Sequence, residues 1–422
     1  MESTVPLALI IFGAVIILGF VGRLIFEKTK IPEVVWLMIL GVLIGYSGFS
    51  DTGVMIDIAP LFAALALAII LFDGGLNMNF YTVIGGFPRA SVLAVLNLVF
   101  SIIFISISSF LVFSFIGIEW SLLYGILLGA IVGGSSSAIV IPIVRGLKIR
   151  EKIITMLSLE SAITDALCVI SAIAILGLII ASYSGTAVSS PAEFAHDIIS
   201  TFSIGAVTGI ACGIGWLYVS REIKKVPATH RLDLAVILLI YGVVELLGGS
   251  GAISVLFFGI VLGNGNAIAN IIKTSKNLEI NRESILFQGE VTFFVRTFFF
   301  VFLGMIVTIS DVKLLAIGIA LGIILLASRI IPTYVSSMKT DITRDERKFI
   351  LTMAPRGLAA AVLAQLPIFY GIPNAKIFSD IVFIIILTSI MITIAGVLMS
   401  GKNCENNICD NVNDKNPEHT GE

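Results

Sequence analysis

The feature that most constrains this chain is a repeated one. Apolar runs of roughly 18–25 residues, separated by short polar turns, recur from end to end, and each is long enough to cross a hydrocarbon core about 30 Å thick. Of 422 residues, 57% are hydrophobic and only 13% are charged; soluble domains carry about 25% charge. A soluble fold of this size could not hide so much apolar surface from water. The chain therefore reads as an all-α polytopic membrane protein embedded in a lipid bilayer. The same composition excludes disorder, collagen, coiled coil and a disulfide scaffold. A formal net charge of −2 argues against a nucleic-acid partner.

Thirteen spans can be laid out, at roughly 5–26, 31–48, 57–76, 90–117, 120–145, 153–182, 198–219, 232–248, 251–264, 284–308, 312–336, 349–369 and 378–400. The ninth is short and rich in glycine. The first is no convincing signal peptide, because it lacks a basic leader and Glu2 precedes it. With the N-terminus outside, the inner side receives Lys28, Lys30, Arg89, Arg145, Lys148, Arg150, Lys152, Arg221, Lys224, Lys225, Arg231, Lys273, Lys276, Arg282, Lys339, Arg344, Arg347, Lys348, Lys402 and Lys415. The outer loops keep only Lys313 and Lys376. This is the asymmetry of the positive-inside rule, and an even number of spans would spoil it. The expectation is thirteen crossings of the cytoplasmic membrane, N-terminus outside and C-terminus inside. Residues 1–404 form one transmembrane unit, and 405–422 read as a disordered cytoplasmic tail. The loops are too short for a soluble domain and carry no Walker motif for nucleotide-driven transport.

Cysteine and histidine offer little chemistry. Cys168 and Cys212 lie in apolar runs, as small buried hydrophobes do. Cys404 and Cys409 fit no standard zinc spacing. His196, His230 and His419 fall in predicted loops or the tail, so a metal cage or Ser–His dyad within the membrane is not expected. Asp73 and Asp165 as an aspartyl protease dyad would lack the Gly-x-Gly-Asp sequence, and a serine protease at 135–137 would lack its histidine. Neither enzymatic activity nor a cofactor is expected.

Charges within the spans are the sharpest clue, because each costs several kcal/mol unless paired or hydrated. They are Asp73, Glu160, Asp165, Arg296, Arg329 and Arg356. At 100° per residue, Glu160, Thr164, Ser161 and Asp165 share a helix sector about 140° wide. Two acids and two hydroxyls on one face supply hard oxygen ligands for a small cation and a carboxylate that also takes a proton. The plainer reading is a set of buried ion pairs that only orient helices. The two combine if a pair such as Glu160 with Arg329 braces the fold while Asp165 works.

Two spans look broken. The fifth carries Gly133-Gly134-Ser135-Ser136-Ser137 with Pro142 beyond, and the twelfth carries Pro355-Arg356-Gly357. Irregular backbone at membrane depth survives only where it is buried in protein or lines a polar cavity. One interruption in each half is the pattern of inverted-repeat secondary transporters; the alternative is a pair of kinked helices with small packing residues.

At these residues the chain resembles the monovalent cation/proton antiporter superfamily, most of all the NhaP-type sodium/proton antiporters of archaea and bacteria. The likeness spans about residues 5–400. It is carried by Ile31-Pro32 with Leu40 to Gly45, by Leu71 to Leu76 (similar to an LFEGGL segment), by Glu160-Ser161-Ala162-Ile163-Thr164-Asp165 (similar to E-S-x-x-N-D), by Phe299 to Gly304 and by Pro355-Arg356-Gly357. The resemblance implies the antiporter fold, a homodimer built of inverted repeats with two unwound, crossing helices. Its ion-carrying core would take about 90–182 and 312–400, and its dimerisation helices about 5–76 and 232–308. It further implies that Asp165 binds either cation or proton, that Ser161 is a second ligand to Na+, with Thr164, Ser135, Ser136 and Asp73 near the site, that Glu160 pairs with Arg329, and that Arg356 lines the second unwound span. Two departures matter. Thr164 stands where the family has Asn, and Ser135-Ser136-Ser137 where it has Thr-Asp-Pro; the serines look more like the potassium-efflux branch.

The expected activity is electroneutral 1:1 exchange of Na+ (or Li+) for H+, serving pH homeostasis, with both ions competing for Asp165. A K+/H+ antiporter of the same superfamily is the main alternative. A cation channel is the other, although no repeated selectivity-filter sequence is present.

Overall fold

In hydrocarbon every backbone N–H and C=O must find a partner within its own segment, so long apolar runs fold as helices. The computed structural model describes residues 4–29, 31–47, 52–78, 88–136, 139–140, 143–144, 149–183, 191–223, 230–271, 282–307 and 312–413. Its helices are α1 (Thr4–Thr29), α2 (Glu33–Tyr46), α3 (Thr52–Leu76), α4 (Pro88–Phe115), α5 (Leu122–Val132) and α6 (Glu151–Tyr183). There follow α7 (Pro191–Glu222), α8 (His230–Leu246), α9 (Gly251–Gly263), α10 (Gly265–Ile271), α11 (Arg282–Ile306) and α12 (Val312–Ser328). The chain ends with α13 (Ile330–Ser336), α14 (Arg344–Thr352), α15 (Leu358–Leu363), α16 (Leu366–Phe369) and α17 (Ala375–Asn413). No strand occurs among the described residues.

Every predicted span falls on helix, but the spans differ in kind. Six helical stretches among the described residues are long and apolar enough to cross alone: Arg89–Phe115, Glu151–Tyr183, Ile199–Glu222, Arg282–Ile306, Val312–Ser336 and Ala375–Met399. The glycine-rich ninth span is a bent pair, α9 and α10, meeting at 82°. The fifth and twelfth are interrupted. Helix α5 stops at Gly133, and α14 stops at Met353, two residues before Pro355. Proline has no N–H to donate and disfavours helical backbone in the residue before it. Pro332 has the same effect on the eleventh span: Ser328 loses its i+4 donor, and the helix breaks at Arg329 between α12 and α13. Helix α17 runs on to Asn413. Residues 414–422 lie outside the described ones.

The helices pack in two sets. Helices α4, α5, α6, α12, α13, α14 and α17 pack on one another, and α1, α2, α3, α7, α8, α9 and α11 form the other set. Short α15 reaches from the first set to α3 and α11. Within the first set α5 lies unusually close to α4: a side chain at Gly129 would come within 2.7 Å of the Ile102 Cα. Small residues permit this approach, which lets van der Waals contact do in lipid what the hydrophobic effect does in water.

An ion cluster ties the start of α6 to the start of α14. Arg150 binds Glu346 through two nitrogens, reaches an Asp341 carboxylate oxygen at 2.9 Å, and donates to the Asp341 carbonyl. Lys152 adds a 2.5 Å bond to Asp341. Glu346 also closes a capping box with Thr343 at the head of α14. Lys152, with Arg150 behind it, pulls the Asp341 carboxyl down to about 2. Burial works to raise Glu346, but its bonds to Arg150 and Thr343 win and hold it below its ordinary value.

Candidate functional site

Glu160, Ser161, Thr164 and Asp165 occupy adjacent turns of α6, where the 3.6-residue period puts them on one face. That face meets the break that ends α5. Ser135 donates its backbone N–H to Thr164 Oγ1 at 3.2 Å and its hydroxyl to Glu160 Oε2 at 3.0 Å, and its Oγ lies 2.8 Å from Ser161 Oγ. Four side-chain oxygens from two helices thus converge. Ser135, Glu160, Ser161 and Thr164 are all at 0% exposure.

The two acids differ sharply. Glu160 is bidentate to Arg329, at 2.9 and 3.1 Å. Arg329 is itself fully buried, and its remaining donors reach the carbonyls of Ile350 at 3.2 Å and Met353 at 3.2 Å. A guanidinium fork on a carboxylate is the strongest and most directional of such pairs. The break at Arg329 and the end of α14 are therefore stitched to α6 by one pair. Asp165, one residue beyond Thr164, is partly exposed. It makes interactions of its own and lies within electrostatic reach of Arg356.

The second unwound stretch, 353–357, crosses the first. Ser136 N–H donates to the Pro355 carbonyl at 2.8 Å. Gly357 lies directly against Ser136, so any side chain there would collide with it. Arg356 is 1% exposed. Its backbone N–H donates to Ser389 Oγ at 2.9 Å, and its guanidinium reaches the Gly133 carbonyl at 3.3 Å. Each broken helix thereby supplies a donor or acceptor to the other. Behind this stretch, between α12 and α17, lies a small opening lined in part by Thr352, Arg356 and Ser389.

The other expected residues stand apart from this cluster. Ser136 faces the second unwound stretch, not the α6 oxygens. Asp73, on α3, accepts from Asn77 Nδ2 at 3.3 Å and feels Arg296. Arg296, on α11, is ion-paired with Glu33 at the head of α2. Ser137, Pro142 and His419 lie outside the described residues, as do the side chains of His196, His230, Cys404 and Cys409. Reading charges alone overlooked Glu33, the Ser389 hydroxyl and Asn97, a fully buried amide in α4 that donates to the Gly133 carbonyl at 2.9 Å. An asparagine inside an apolar run was a visible signal for the last.

What the geometry offers is a buried cluster of side-chain oxygens where two broken helices cross, with one acid locked to an arginine and a second partly exposed. Comparison with known proteins bears on it. Residues 13–400 match the family described as "Sodium/hydrogen exchanger, transmembrane". The chain is 25% identical over 398 residues to the K(+)/H(+) antiporter NhaP of Alkalimonas amylolytica, covering 92% of this chain and 65% of that one. It is 30% identical over 382 residues to the K(+)/H(+) antiporter NhaP2 of Shewanella sp. (strain MR-4), covering 87% and 61%. It thus spans less than two thirds of the length of these curated relatives. In structure it superposes on the sodium proton antiporter MjNhaP1 of Methanocaldococcus jannaschii at pH 8, with a TM-score of 0.72 and 21% identity, over 94% of this chain and 97% of that one.

Proposed function

The chain belongs to the sodium/hydrogen exchanger family, and on that premise we propose that it is a secondary antiporter in which one monovalent cation and one proton compete for Asp165. One contrast carries the reading: Glu160 has both oxygens committed to Arg329, whereas Asp165, on the same face, is partly exposed. A locked carboxylate braces the helices around the site, and an accessible one can trade a proton for a cation. Ser161 and Ser135 are the hydroxyl ligands beside it. Thr164 is engaged on both sides, accepting from Ser135 and donating to the Ser161 carbonyl at 3.1 Å, so its role is to set the pocket's shape. Arg356 supplies a fixed positive charge across the crossing. Each half-cycle then carries one positive charge, as cation or as proton, and exchange is electroneutral.

We assign Na+ (or Li+) as the cation. The K+/H+ alternative draws support from the names of the two curated relatives and from a serine where a second carboxylate would sit in the first break. In this reading the protein is a homodimer in the cytoplasmic membrane, crosses it thirteen times with the N-terminus outside, and serves pH homeostasis. Meeting of the 150–152 and 339–348 loops in one ion cluster supports their sharing a side of the membrane, as the basic-loop asymmetry requires. The core is drawn from α4–α6 and α12–α17, and the dimerisation helices from α1–α3 and α8–α11. No enzymatic step and no cofactor enter the cycle.

The test is dequenching of a pH-sensitive dye in proteoliposomes as Na+, Li+, K+ or Rb+ is added. Dequenching by Na+ and Li+ alone supports the assignment. Dequenching by K+ and Rb+ replaces the cation but keeps the mechanism. No response to any of them, from folded protein, overturns the antiporter reading.

A further inference from the structure

We propose that Asn97 is a positioning residue for ion exchange, acting on Ser135 through the Gly133 carbonyl. The inference rests on the exchange reading above. Helix α5 ends inside the protein, and a helix end leaves its last carbonyls without intrahelical donors. Those carbonyls also carry the negative end of the helix dipole. At Gly133, the C-cap of α5, two foreign groups answer this. Asn97 Nδ2 donates at 2.9 Å from α4, and Arg356 donates at 3.3 Å from the other unwound stretch. The amide is the closer of the two.

Three observations make this more than local packing. Asn97 is at 0% exposure, flanked by Leu96 and Leu98 in α4. Its Oδ1 has no hydrogen-bond partner among the described residues. A polar side chain half satisfied at such depth is costly, so the bond it does make is the feature that it contributes. Finally, Gly133 is two residues from Ser135, whose N–H and Oγ reach Thr164, Glu160 and Ser161. Fixing the Gly133 carbonyl fixes the turn from which the Ser135 hydroxyl is presented. Among the described residues Asn97 makes no hydrogen bond to Ser135 or to the α6 oxygens; it works through the backbone.

The experiment compares cation-dependent exchange in proteoliposomes for the wild type, Asn97→Leu, Ser135→Ala and the double variant. Asn97→Leu keeps the volume and removes the donor. Its apparent KM for the driving cation should rise about tenfold, the value of roughly one hydrogen bond, with little change in kcat. Because the two residues act on one hydroxyl, the double variant should have nearly the KM of Ser135→Ala alone. If Asn97→Leu does not fold, Asn97→Ser carries the test: its hydroxyl is one bond too short to reach Gly133, and the same KM rise is expected. A folded Asn97 variant with wild-type KM overturns the inference, and so does full additivity with Ser135→Ala. Absence of exchange in the wild type overturns the antiporter reading itself, which is a separate result.

Discussion

Two acids five residues apart on α6 have opposite fates, and the difference is set by their partners. Glu160 is buried against Arg329, so removing either group leaves a charge uncompensated in a dry interior. Glu160→Ala and Arg329→Ala should each destabilise the protein by about 3–5 kcal/mol, seen as a large fall in thermal midpoint; near-normal melting in both would contradict the brace. The Arg150–Glu346–Asp341 cluster makes a different prediction, because Arg150 and Asp341 are partly exposed. The Glu346 and Asp341 carboxyls are both held below their ordinary values. The folded form therefore binds protons there less readily than the unfolded one, and the cluster's contribution is full above the ordinary carboxylate range. It is lost as pH falls below about 4.5 and onward to about 2, where Asp341 titrates. Melting of Glu346→Gln should thus differ from wild type near pH 7 and converge with it in strong acid; a difference that grows on acidification would contradict this. The charged residues of the site were legible in the sequence because a charge in an apolar run is conspicuous. Asn97 and Ser389 were not singled out, since neutral polar residues in helices often satisfy themselves locally, as Ser171 does on the Leu167 carbonyl.

Broken helices are the working parts at the next scale. Gly133-Gly134 and Pro355 mark both interruptions in the sequence, but the crossing was expected only from the family resemblance, because it depends on the Ser136–Pro355 backbone bond between segments more than 200 residues apart. Gly357 is where the approach is tightest. Gly357→Ala would force Ser136 and the second unwound stretch apart, and exchange should fall at least about tenfold while the long helices persist; circular dichroism and transport together check this, and wild-type transport would show that the crossing need not be close. That the chain is built of many apolar helices was legible from hydropathy. The break at Arg329 was not, because it follows from Pro332 removing the backbone donor to the Ser328 carbonyl within a span that stays largely apolar on both sides.

For the whole molecule, two sets of helices pack around a site that belongs to one of them, with α15 reaching across to the other. If each half-cycle moves a single charge, exchange driven by a cation gradient should generate no sustained current on solid-supported membranes; a robust transport current would mean that a second group, such as Asp73, also carries protons. The most direct measurement is of Asp165 itself. Purified Asp165→Asn, shown to melt like the wild type, should give no cation-dependent proton flux in proteoliposomes with Na+, Li+, K+ or Rb+, because the amide can neither bind the proton nor balance the cation. Coupled exchange surviving in that variant at near wild-type KM would contradict the account.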